Sequence, residues 1–268
     1  MKPRVFILTH CRSEETLASA TLVFKTLRVG FPSADVTALI NAECGVRSAE
    51  VARKIGAAAA AAKCQPVDYA KNAGSDGPFI EFMVKTEQRP FWVCHPDVVF
   101  FDEVEHWFNE RDGIAFAGRL EPEFWCEWTC SLHSERIHPG LMYINPVRLR
   151  ERMRMWPGQH AFFNSVGYEW FKWHWVKQRG ELLRFNDVCA GLWQAVGEYH
   201  GTVFDEQQNA AFEHLHCGSY IDLIAPAMGP EWRTAPEAHA AICKQPELAR
   251  GLREKQMVWY NEHRTKPE

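Results

Sequence analysis

Arg4-Val-Phe-Ile-Leu-Thr9 is a short continuous apolar run of β-forming residues, the pattern of a strand buried on both faces in a parallel sheet. The next thirty residues decide the fold. Ser13 stands as an N-cap before Glu14 and Glu15, and Leu17, Ala20, Phe24 and Leu27 recur at helical spacing until Gly30-Phe-Pro32 stops them. Residues 35–40 then read as a second strand. Strand, helix and strand with short connections predict a right-handed βαβ unit, whose ligand sites lie at the carboxyl ends of the strands. That places Thr9, His10, Cys11, Arg12 and Asn41 beside a crevice.

Further along, residues 51–63 read as a helix containing the Ala57-to-Ala62 run, a small-residue face suited to packing closely on a sheet. Gly74-Ser-Asp-Gly-Pro78 is a turn before a helical stretch at 79–86. A buried strand is predicted at 89–94, helix at 102–108, strands at 113–118 and 141–144, and a helix at 147–155 with Pro146 as its first residue. Helix is expected at 168–177, strand at 182–185, helix at 186–196 and again at 205–212. The stretch after Trp232 reads as a peripheral helical extension, 226–268, beyond a single domain of 1–225. No repeat or linker-like tract interrupts that domain.

Composition narrows the class. Of 268 residues 46% are hydrophobic and 13% aromatic, enough for a large core. Nine cysteines, an odd count with no CxxC pair, do not form a disulfide framework. With no signal-like opening, the expected location is a reducing cytoplasm. No segment has membrane-spanning length. A formal net charge of −4 gives no global attraction to nucleic acid or anionic lipid.

The segment richest in chemistry is Pro90-Phe-Trp-Val-Cys-His-Pro-Asp-Val-Val-Phe-Phe-Asp102. A very apolar strand delivers His95 and Asp97, two positions apart, to the carboxyl edge of the sheet, with Pro96 stiffening the backbone between them. Such a pair can hold one divalent cation, and its mixed nitrogen and oxygen donors suit manganese better than calcium. The competing reading has His95 capping a turn and Asp97 beginning the next one.

Three pieces in order, Val5 to Arg12, Phe91 to Asp97, and His138-Pro-Gly-Leu-Met-Tyr-Ile-Asn145, resemble the GT-A glycosyltransferases: a nucleotide-binding α/β half, a hydrophobic strand ending in an Asp-x-Asp motif, and a glycine-containing strand ending in Asn. The resemblance covers residues 4–220 in layout rather than in letters. It implies a GT-A (Rossmann-like) α/β fold with a mixed, mainly parallel central sheet flanked by helices. It divides the domain into a nucleotide-binding half, about 1–100, and an acceptor half, about 101–225. His95 stands where the family has the first acid.

The implied activity is transfer of a sugar from a nucleotide diphosphate sugar to a glycan or other hydroxyl acceptor, assisted by Mn2+ or Mg2+. The diphosphate leaves with negative charge that a cation neutralises. His216, in His214-Leu-His-Cys-Gly218, resembles the late metal-binding histidine of some retaining members, so the implied metal set is His95, Asp97 and His216. Two helix-end histidines near a helix dipole are the plainer reading of that segment. Asp187, in Arg184-Phe-Asn-Asp187 with Asn186 as the helix cap, resembles the general base of inverting members. Asp205, in Asp205-Glu-Gln-Gln-Asn209, resembles a donor-sugar segment of retaining ones, with Gln208 beside it.

Thr9, His10, Arg12 and Asn41 fall where the family places nucleotide contacts. Arg119, Gly140 and Gly218 join the substrate side, with Trp125 and Trp128 as sugar platforms among Glu121, Glu123 and Glu127. Arg148, Arg150, Arg152 and Arg154 keep a nucleic-acid acceptor in view. Two other readings share the scaffold: a nucleotidyltransferase, although Thr9-His-Cys-Arg-Ser-Glu14 lacks the expected glycine-rich loop, and a non-catalytic nucleotide- or carbohydrate-binding protein. No Walker loop, GxGxxG turn or Ser/His/Asp relay supports kinase, dehydrogenase or hydrolase chemistry.

Overall fold

The computed structural model describes residues 2–10, 14–41, 46–69, 76–121, 124–126, 131–155, 163, 183–185, 189–197, 201–215 and 245. Its fold is mixed α/β. In chain order the elements are β1 (Arg4–His10), α1 (Glu14–Gly30), β2 (Asp35–Asn41), α2 (Val46–Ala61), β3 (Gln65–Asp68), α3 (Asp76–Thr86), β4 (Phe91–Cys94), β5 (Val98–Phe100), β6 (Phe116–Glu121), β7 (Phe124–Cys126), β8 (Ser131–His133), β9 (Arg136–Ile144), α4 (Pro146–Met153), β10 (Leu183–Phe185), α5 (Ala190–Leu192), β11 (Gly201–Val203), α6 (Glu206–Ala210) and β12 (Phe212–His214). No helix of the described residues is long and apolar enough to cross a membrane.

The chain divides into two compact units, the first comprising Met1–Ala73, Phe91–Asn109 and Asp205–Gln256, the second Gly74–Pro90, Glu110–Phe204 and Met257–Glu268. The central sheet is mainly parallel and has seven strands, four in the first unit and three in the second. In the first unit the order is β4-β1-β2-β3, every pairing parallel. The registers set Val5 beside both Val36 and Trp92. The order runs outward through β2 and β3 on one side of β1 and jumps to β4 on the other. A reversal of this kind opens a crevice at the carboxyl ends of the two inner strands, here β1 and β4.

Burial explains why these elements form. Val5, Ile7, Trp92, Val93 and Cys94 are at most 1% exposed, as strands covered on both faces require. Helix α1 buries Ala20, Val23, Phe24 and Leu27, and α2 buries Val51, Ile55 and Ala59 at four-residue spacing. Trp92 and Phe31 meet edge to face at 5.5 Å, and Phe31 meets Phe100 at 5.3 Å. Helix α2 ends in a Schellman arrangement. Lys63 takes the left-handed conformation (φ 60°), the Cys64 amide donates to Ala59 O (2.9 Å) and the Lys63 amide to Ala60 O (3.0 Å).

The second unit contains β11-β6-β9, with β11 parallel and β9 antiparallel to β6, and a bulge between Gly118 and Leu120. Strands β10-β8-β7 form a small sheet of their own. Helix α4 starts as expected: Pro146 is its first residue and the Asn145 side chain accepts the Arg148 amide at 3.2 Å.

Several expectations fail for identifiable reasons. Residues 102–108 are not a helix but an irregular strap. The Val104 and Glu105 amides donate to Gly30 O, and the buried Glu105 carboxylate accepts from the Ser33 amide (2.8 Å), the Ala34 amide (3.0 Å) and the Ser33 hydroxyl. Groups that would have closed helical turns instead hold the α1–β2 connection. Of the helix expected at 186–196, residues 186–188 lie outside the described residues; Cys189 is left-handed (φ 67°), α5 begins at Ala190, and residues 193–197 form a π turn. The helix expected at 205–212 stops at Ala210, and the chain turns into β12. Strand β6 lies later than expected, β9 begins earlier, and β3, β7, β8, β11 and β12 carry no strand signal strong enough to be predicted. The stretches at 168–177 and after Trp232 lie outside the described residues.

Candidate metal centre

Strand β4 is buried throughout and ends at Cys94, so His95-Pro96-Asp97 emerges where β4 meets the β1/β4 crevice. The Val98 amide returns to His95 O at 3.4 Å, folding the tripeptide into a turn that brings His95 and Asp97 round to one place. Strand β5 leaves this turn and pairs antiparallel with β12, in a register that sets His214 opposite Val98. Two backbone bonds fix the pairing at its ends, Leu215 N to Asp97 O (2.7 Å) and Phe101 N to Ala211 O (2.7 Å). A histidine more than a hundred residues downstream is thereby placed against the turn.

The ligand atoms of His95, Asp97 and His214 all lie within 4.8 Å of one another. His214 Nε2 stands 3.0 Å from Asp97 Oδ1, and the two imidazole rings are 5.7 Å apart, centre to centre. Asp97 is 8% and His214 9% exposed, while His95 is half-buried. Donors bound at about 2.0–2.2 Å to one ion sit roughly 3 Å apart when adjacent in its coordination shell. The cluster therefore fits a cation in spacing, in donor chemistry and in burial. Cys94, whose Sγ lies 3.3 Å from His95 O as a donor, is not among the three clustered residues; burial, then the charge of Asp97, then Cys64 push its thiol well above 9.0.

The sequence-derived residues fall in different places. His95 and Asp97 are together as expected. The histidine that joins them is His214; His216 and Gly218 lie outside the described residues. His214 is not a helix-end residue, because β12 carries it into the interior. Thr9 is buried and its hydroxyl donates to Leu39 O (2.6 Å), tying β1 to β2. Asn41, 5% exposed, is at the carboxyl end of β2 opposite His10, of which the backbone alone is described. Arg12, Trp128 and Asp187 lie outside the described residues.

Asp205 is the N-cap of α6, its carboxylate accepting the Gln208 amide (2.8 Å) while Gln208 Oε1 accepts the Asp205 amide (3.0 Å). This reciprocal capping box commits both side chains to the helix. On the second unit, Arg119 is buried in β6, the backbone of Trp125 is in β7, and the Gly140 amide donates to His138 Nδ1 (3.0 Å). Glu121 pairs with Arg136 Nε at 2.9 Å and so is not an open sugar acceptor. Nor is Arg150 a phosphate-facing cation: its guanidinium donates to Val84 O, Glu87 O and Gln88 Oε1, capping α3.

Two signals in the sequence lie near the third donor. Asp205-x-x-Gln208 is a capping-box spelling, and Phe212-Glu-His214 alternates apolar and polar residues as a half-buried strand does. The first marks the start of a short helix ahead of His214; the second spans three residues and is too short to predict a strand by itself.

No protein-family model and no curated protein matches the chain. Among solved structures it is similar to the CTP:phosphocholine cytidylyltransferase of Streptococcus pneumoniae, at 11% identity and a TM-score of 0.39, over 80% of this chain and 93% of that one.

Proposed function

We propose that this chain is a transferase acting at the phosphates of a nucleotide-linked donor, assisted by a divalent cation held by His95, Asp97 and His214. The observation that carries the reading is the convergence of these three donors at the carboxyl end of β4, beside the strand-order reversal where α/β sheets bind ligands. Bound there, a cation offsets negative charge gathering on a departing phosphate. The residues themselves orient that charge sink: the His-Pro-Asp turn fixes two donors, and the β5/β12 pairing fixes the third.

Sugar transfer from a nucleotide diphosphate sugar to a hydroxyl acceptor is the finer form we infer, with Mn2+ the better candidate and Mg2+ the poorer. Asp187 is assigned the proton of the attacking hydroxyl, and Arg12 and Asn41 the nucleotide. Arg119, Trp125, Trp128 and Gly140 are proposed for the acceptor side. Cys64 and Cys94 are free thiols, which supports a reducing compartment. Nucleotidyl transfer, the reaction in the name of the Streptococcus pneumoniae protein, uses the same cation chemistry on a nucleoside triphosphate. The lack of a glycine-rich loop after β1 makes it the second reading.

One experiment separates the readings. The chain is incubated with Mn2+ and a panel of nucleotide sugars, then with nucleoside triphosphates plus sugar phosphates, and released nucleoside diphosphate or pyrophosphate is quantified. Diphosphate release that falls by about a hundredfold or more in Asp97→Ala supports sugar transfer, since about 2.7 kcal/mol of charge stabilisation is worth that factor. Pyrophosphate release points to nucleotidyl transfer. Turnover undiminished in Asp97→Ala removes the cation from the mechanism. No turnover, with nucleotide binding intact, leaves a binding protein.

A further inference from the structure

We infer that the cation resides in the free protein, without nucleotide, and that the site selects a borderline transition-metal ion over Mg2+ and Ca2+. The inference rests on the site assigned above and goes beyond it in saying when and which ion binds.

Two features of this chain point that way. Two of the three donors are imidazole nitrogens, from His95 and His214, and one is the Asp97 carboxylate. Mg2+ and Ca2+ are hard ions that take oxygen ligands. Mg2+ in particular keeps several waters and is held by one or two carboxylates plus substrate phosphates rather than by an all-protein cage. Imidazole-rich sites favour Mn2+, Co2+ and Zn2+ in rising order. Three protein donors is also the count found in catalytic zinc sites.

The second feature is that the chain's own backbone brings the donors together. They converge within 4.8 Å, His95 and Asp97 through the turn bond from Val98, His214 through the Leu215-to-Asp97 bond and the β5/β12 ladder. Asp97 and His214 are already largely withdrawn from water. Little ordering remains for nucleotide binding to supply, so the ion has a site before the nucleotide does. The short His214–Asp97 contact adds a side-chain tie to the same pair.

The test is equilibrium dialysis and calorimetry of the chelator-stripped full chain against Zn2+, Co2+, Mn2+, Mg2+ and Ca2+, with no nucleotide present. The expected result is one equivalent of transition metal, affinity rising from Mn2+ through Co2+ to Zn2+, and Mg2+ and Ca2+ weaker than Mn2+ by about tenfold or more. His214→Ala lowers Zn2+ affinity by at least about a hundredfold. Because that change sits in the interior, His95→Gln, at a half-buried position, is measured beside it with circular dichroism as the folding check. Absence of stoichiometric binding in the parent, Mg2+ binding as tightly as Mn2+, or unchanged Zn2+ affinity in a folded variant overturns the inference. If an ion binds only after a nucleoside diphosphate is added, residence is wrong while the proposed function stands. If none binds even then, both fall.

Discussion

Glu105 shows what one side chain can hold. Its carboxylate, fully buried, accepts the amides of Ser33 and Ala34 and the Ser33 hydroxyl, so removing it strands the buried Ala34 amide and unties the exposed Ser33 from the strap. Glu105→Ala is expected to cost about 3 kcal/mol, read as a lower urea midpoint at constant slope; a loss under about 1 kcal/mol would show the carboxylate to be dispensable. Asp205 gives a contrast in kind. As a cap, it tolerates Asn at little cost and loses about 1 kcal/mol as Ala. Turnover in Asp205→Asn stays near the parent value; a hundredfold loss there would support its catalytic assignment. Burial lifts the Cys64 thiol from 9.0 to about 11 against the opposing pull of Arg28. The folded chain thus holds that proton more tightly than the unfolded one. Its contribution to stability is complete below pH 9 and is lost as pH rises towards 11, and Cys64 resists alkylation at pH 8 in the native state while reacting in urea. At this scale the sequence was legible where chemistry is spelled by neighbours, as in His95-Pro-Asp97. It was not legible where a role depends on a partner 71 residues away, as with Glu105 and Ala34.

Elements followed the sequence wherever one periodicity ran unopposed. β1, α1, β2 and β4 are each a single pattern, strand-like or helical, with buried faces where the pattern puts them. Residues 102–108 carried a helical pattern that lost to tertiary bonds with Gly30 and the α1–β2 connection, and β12 is too short for a three-residue alternation to announce itself. Gly30, the last residue of α1, is where the strap and β5 approach: an added Cβ would overlap the Phe100 ring. Gly30→Ala should therefore destabilise by about 1–3 kcal/mol despite the better helix propensity of Ala. Neutral or raised stability would mean that the ring moves freely. At the other helix end, Lys63 occupies a left-handed position that glycine fills without strain. Lys63→Gly is expected to gain about 0.5–1 kcal/mol in chemical denaturation, and a loss would show that the lysine side chain contributes more than its backbone strain costs.

For the molecule as a whole, the α/β class and the mainly parallel sheet were legible, because continuous apolar runs alternating with helical patterns admit few other arrangements. The candidate site was legible by half. A strand tip delivering His95 and Asp97 is local information, whereas the third donor depends on how β12 registers against β5 across more than a hundred intervening residues. His214 and His216 share the alternate positions of that segment, so spacing alone did not choose between them. The central claim is that one cation joins this triad to the phosphates of a nucleotide. The most direct measurement is the visible absorption spectrum of the Co2+-loaded chain, recorded before and after adding UDP, GDP or CDP, in the parent and in His214→Ala. A protein-bound Co2+ band that changes with at least one nucleoside diphosphate, and is lost in the variant, is the predicted result. A band that persists unchanged in His214→Ala, or that no nucleotide alters, would contradict it.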